Sequence, residues 1–176
     1  VRFTPTDSGN YTTASANVSV TVSKAAPVVT WNNPASITYG TALGGTQLNA
    51  SASVNGTFSY TPVSGTVLGA GNQTLSVVFT PTDAANYNTV NRSVTLAVGK
   101  GTPVISTLPT ASGILFGQTL ANATLSGGNA SLAGTFAFAT PTTVPSVGTT
   151  SQAVIFTPTD SGNYTAASAN VSVTVS

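Results

Sequence analysis

Phe79-Thr80-Pro81-Thr82-Asp83-Ala84-Ala85-Asn86-Tyr87 decides how this chain folds, because the string Phe-Thr-Pro-Thr-Asp-x-x-Asn-Tyr also stands at 3–11 and at 156–164. Its parts read as a strand end, a turn and a strand start. Phe3, Phe79 or Phe156 closes an alternating apolar run, and Pro5, Pro81 or Pro158 has no amide to give to a ladder. Asp7, Asp83 or Asp160 can accept hydrogen bonds from nearby turn amides. Tyr11, Tyr87 or Tyr164 then opens the next run, with its hydroxyl placed to tie the corner.

The recurrence extends beyond the string. Residues 154–176 repeat residues 1–23, with Ile155 in place of Arg2 and Ala166 in place of Thr13, and a more divergent copy fills 77–99. A period of roughly 77 residues suits a small β-sandwich and is too long for a helical solenoid repeat. The chain therefore divides into the C-terminal strands of one repeat (1–23), a repeat of a first type (24–99) and a repeat of a second type (100–176). Because 1–23 matches the end of the second type, the two types alternate. Lys24 and Lys100 stand just past equivalent endings and are read as solvated linker charges; Pro27 and Pro103 follow them and restrict the backbone, which predicts a semi-rigid rod.

Short runs rich in Val, Thr, Phe and Tyr, interrupted by Gly, Pro and Asn, predict strands throughout. In the first-type repeat these are 28–31, 37–39, 47–54, 57–61, 73–80, 87–90 and 93–98, about seven short strands to a unit. Alternation places Leu75, Val77 and Phe79 on the core face, with Phe58 and Tyr60 on a facing strand and Leu48, Ala50, Ala52 and Val54 as a third inward row. Trp31 is the only Trp and aligns with Leu108 of the second-type repeat, which favours a packing role.

Composition narrows the function classes. Four Lys or Arg, three Asp or Glu and no His leave a net charge of +1, with no basic patch for a run of phosphates, so nucleic acid is not an expected partner. There is no Cys, hence no disulfide framework, and no apolar run long enough to span a bilayer. Hydrolytic, transfer or redox chemistry needs a nucleophile with a base, paired carboxylates, a metal cluster or a cofactor loop; none is legible, so no enzyme activity, cofactor or metal is expected. Calcium needs several oxygen ligands, and one Asp per ending falls short. Arg2 and Arg92 are read as solvated. Asn-x-Ser/Thr tripeptides such as 10–12, 55–57 and 163–165 are potential glycan acceptors, but Asn- and Thr-rich strand surfaces generate them easily.

An Asp four residues before a Tyr resembles the tyrosine corner of immunoglobulin domains, although the Cys two residues beyond that Tyr is replaced by Thr13, Thr89 or Ala166. With Ile37-Thr38-Tyr39-Gly40, Gln47-Leu48-Asn49-Ala50 and Gly56-Thr57-Phe58, the chain resembles bacterial Ig-like repeat domains of very long secreted or surface proteins. Ile114-Leu115-Phe116-Gly117 and Gly134-Thr135-Phe136 resemble a sister subtype. The resemblance implies tandem immunoglobulin-like β-sandwiches, an extracellular or cell-surface location, and a stalk or spacer role in an adhesin. It supplies no catalytic residues. Neighbouring repeats of the same chain are the expected partners. The alternative is a subunit of a self-assembling extracellular filament or sheath, in which identical chains meet and residues 1–23 complete a sandwich by strand exchange.

Overall fold

The computed structural model describes residues 1–176, and the chain is all-β apart from one 3-10 turn at Leu120–Asn122. No helix is long and apolar enough to cross a membrane. At the N-terminus β1 (Arg2–Phe3) and β2 (Ala14–Ser15) form a two-stranded hairpin. In 24–99, β3 (Val29–Thr30) pairs with β5 (Ser51–Ala52), while β4 (Ile37–Thr38), β8 (Val90–Gly99), β7 (Gly71–Pro81) and β6 (Gly56–Thr61) make a second sheet in that order. In 100–176, β9 (Ile105–Ala111) pairs with β10 (Leu125–Ala130), and β11 (Gly134–Phe138), β12 (Gly148–Pro158) and β13 (Ala167–Val175) make the other sheet. The strands pair antiparallel except where β4 runs parallel to β8; Ile114 repeats that parallel bridge against Val175, and Ala25 with Tyr87 and Gly101 with Tyr164 make two more parallel bridges. Several sheets with apolar inner faces place the chain in the β-sandwich class.

Period two along the long strands builds the cores. Leu75, Val77 and Phe79 of β7 are buried, and Leu75, Val77, Val94, Leu96 and Val98 join Trp31 and Leu43 in one apolar cluster. The Trp31 indole donates to Gln47 O at 3.0 Å and the Tyr60 hydroxyl accepts from the Ala50 amide at 2.9 Å, so neither ring carries an unpaired polar atom inside. A second cluster gathers Ile114, Leu120, Val154, Val171, Val173 and Val175.

Local chemistry changes some expected elements. The two repeats hold six and five strands rather than seven apiece. Of 47–54 only Ser51–Ala52 is strand, because the Gln47 and Leu48 amides donate to Gly44 O while Gln47 Oε1 takes the Gly44 amide, closing a local turn that competes with the ladder. Leu48 and Ala50 nevertheless pack against the core. Residues 87–90 and 93–98 do not form separate strands: β8 runs through Asn91 and Arg92, which pair with Val78 and Val77. Leu108 does not replace Trp31. It is 47% exposed against 2% for Trp31, because β9 turns Pro109 inward instead, and one residue of offset exchanges the faces of a strand.

The duplicated ending keeps its register in both copies: Arg2↔Ser15 and Phe3↔Ala14 match Ile155↔Ser168 and Phe156↔Ala167.

Candidate functional site

The recurring corner is held by its Asp and Asn. In 156–164 the Asn163 amide donates to Asp160 Oδ1 at 3.1 Å and Asn163 Nδ2 to Asp160 Oδ2 at 2.9 Å, while the Tyr164 amide donates to Asp160 O at 3.1 Å. Asp83 with Asn86 and Tyr87, and Asp7 with Asn10 and Tyr11, copy these bonds. An Asp carboxylate accepting two N–H groups over three residues is a self-contained turn, which explains why the motif needs Asp and Asn at that spacing. The Asn10 side chain first and its backbone amide second hold the Asp7 carboxyl below its ordinary value; Asn86 does the same for Asp83, with Lys24 adding a smaller pull. The hydroxyl tie expected of Tyr11, Tyr87 and Tyr164 is not formed; the ring of Tyr164 is used instead.

That ring lies at the meeting of the two repeats. It meets Tyr39 edge to face with centroids 5.3 Å apart and planes at 82°. Beside it, the Ala70 amide donates to Asn163 Oδ1 at 2.8 Å, using the one amide oxygen that the Asp160 turn leaves free. Tyr39 and Ala70 belong to the first-type repeat, Asn163 and Tyr164 to the second. Tyr39 and Ala70 are both set by backbone reversals, since each is followed by a glycine at positive φ, Gly40 at 94° and Gly71 at 117°, where a side chain would be strained.

The linker is strapped at both ends. Gly99 sits in the first repeat, its carbonyl accepting from the Tyr39 amide at 2.8 Å. Gly101 sits in the second, donating to Asn163 O and accepting from the Thr165 amide, each at 2.9 Å. Only Lys100 lies between them; it is exposed and its ammonium donates to Ser161 O, as the exposed Lys24 donates to Ala84 O. Gly101 has no side chain because Tyr164 covers it: a Cβ there would fall 2.9 Å from Tyr164 Cε1. Ala25, bridged to Tyr87, takes this place in the first-type repeat. Arg92 and Arg2 are both exposed, as expected, and Arg92 also donates from Nε to Trp31 O at 3.3 Å.

Sequence reading found the corner by its recurrence and missed its partners, Tyr39 and Ala70. The signal for Tyr39 was the aromatic before a glycine in both Ile37-Thr38-Tyr39-Gly40 and Ile114-Leu115-Phe116-Gly117. Two surface depressions, one lined by Leu125, Gly128, Phe136 and Phe156 and another by Leu48, Phe58, Tyr60 and Val63, carry no carboxylate and no cationic side chain. Comparison with family models and with curated proteins finds no match to this chain.

Proposed function

We propose that residues 24–99 and 100–176 are immunoglobulin-like units of a tandem array, and that the array is the stalk or spacer of a long extracellular surface protein of adhesin type. The junction carries this reading. A spacer must hold its length, and here a single residue, Lys100, joins units that also share the Tyr39–Tyr164 contact and the bond from Ala70 to Asn163. Such a joint restricts the angle between neighbours, where a flexible linker would let them swing. Polar Ser, Thr and Asn on the outer faces with only 4% charged residues support a setting outside the crowded cytosol, where neutral strand-rich surfaces aggregate. Catalysis has no place in this reading.

Small-angle scattering on residues 24–176 tests it. A concentration-independent monomer whose profile fits one elongated arrangement is the expected result, and an ensemble of widely differing inter-unit angles would overturn it. A second reading is a subunit that assembles through strand addition, in which residues 1–23 complete a sandwich with strands of a neighbouring chain. Under that reading the full chain forms filaments that deletion of 1–23 abolishes; polymers that persist after the deletion eliminate it.

A further inference from the structure

The pole of the first-type repeat that seats Asn163 and Tyr164 has a counterpart at the far end of the second-type repeat, and there it is open. Phe116 stands where Tyr39 does, its amide donating to Ser176 O at 2.9 Å as that of Tyr39 donates to Gly99 O. Val147 stands where Ala70 does, next to Gly148 at φ 107°, while Gly117 at φ 86° follows Phe116. The backbone of the seat is thus copied, but its side chains are more apolar. Leu115, Phe116 and Val147 replace Thr38, Tyr39 and Ala70, with Phe116 68% and Val147 64% exposed. The Val147 amide, like that of Ala70 before docking, has no acceptor within its own repeat.

The complementary corner is on the page as well. Asn86 gives its backbone amide and Nδ2 to Asp83, which leaves Oδ1 without a donor, and Tyr87 follows it, as Tyr164 follows Asn163. The chain itself sets the order of the two types: Ser23, the last residue of a second-type ending, runs directly into Lys24 of a first-type repeat. We propose that Leu115, Phe116 and Val147 form a docking seat for the Asn86–Tyr87 corner of a first-type repeat joined after Ser176 as Lys24 follows Ser23. The Tyr87 ring rests on Phe116, and the Val147 amide donates to Asn86 Oδ1. This contact exchanges the tyrosine pair of the first junction for a tyrosine on an apolar floor, so the alternating array has two kinds of joint, one more polar and one more apolar. The inference rests on the rod reading above.

Amide hydrogen exchange read by NMR, residue by residue, separates the two. The probe is the full chain extended after Ser176 by a second copy of 24–99, compared with the 176-residue chain. Ala70 is protected in both, and Val147 becomes protected by roughly tenfold or more only on extension. Phe116→Ala, a change at an exposed side chain, returns Val147 to fast exchange in the extended chain. Unchanged fast exchange at Val147 with Ala70 protected overturns the seat and leaves the rod; fast exchange at both amides overturns both. Protection of Val147 that survives Asn86→Ala and Tyr87→Ala in the appended copy overturns the corner as its occupant.

Discussion

Single residues in the repeated motifs answer to close contacts. Gly134 opens the Gly-Thr-Phe triplet of the second repeat because the Phe156 ring and the Thr157 carbonyl lie over it; a Cβ would meet them at 2.4 and 2.5 Å. Gly56 is in the same position under Phe79 and Thr80. Since one of the clashing atoms is backbone, Gly134→Ala should cost about 1–3 kcal/mol by urea denaturation. Gly44→Ala, with open space around the site, should stay within about 0.5 kcal/mol.

The Asp carboxylates predict the acid response. Asp83 is held below its ordinary 3.8 by Asn86, and a carboxyl lowered on folding contributes stability above its unfolded value and loses it as pH falls through the folded one. Stability should therefore be flat with respect to this group from neutral pH down to about 5 and fall below about 4. Asp83→Asn, which keeps an acceptor oxygen without the charge, should remove that part of the acid slope in melts at stepped pH. A slope identical to that of the parent chain counts against the turn as its source.

At the scale of elements, alternation was legible wherever a strand is long. β7 buries Leu75, Val77 and Phe79 as expected, because an eleven-residue strand leaves no choice of face once its apolar set is placed. Short strands were less legible. Gln47 and Leu48 have a strand-like pattern but sit beside Gly44 and Gly45, and a side-chain bond from Gln47 to the Gly44 amide closes the turn first. Leu108 shows the same weakness, since nothing local says which of two neighbours turns inward. Val173→Ala, at a fully buried position, should destabilise the fold by about 2 kcal/mol when unfolding is followed by circular dichroism.

On the scale of the whole molecule, the junction couples two cores that share no apolar cluster. Tyr164→Ala removes the ring that bridges them while leaving the bonds from Asn163 to Asp160 intact, so the loss should appear as coupling rather than as fold stability. A double-mutant cycle on Tyr39 and Tyr164 should return an interaction of about 0.5–1.5 kcal/mol, and zero would mean the contact does not hold the joint. Gly101→Ala acts on the same ring from the other side. The added methyl displaces Tyr164 from Tyr39, and the two repeats should then melt more independently.

How much of this was readable beforehand depends on the range of each interaction. The Asp160–Asn163–Tyr164 turn is closed by bonds spanning three or four residues, so recurrence of the string was enough to locate it. Tyr39 and Ala70 lie in a different repeat from the corner they receive, and no local pattern names a partner that far along the chain. Sequence alone determined the recurrence of the chain's ending, the strand-forming periodicity and the chemistry of the corner. Tertiary structure decided which faces are covered. Trp31 and Leu108 take equivalent places in the two halves of the chain, yet only Trp31 is buried, because burial requires a ladder partner and an opposing sheet that a strand cannot specify from within itself.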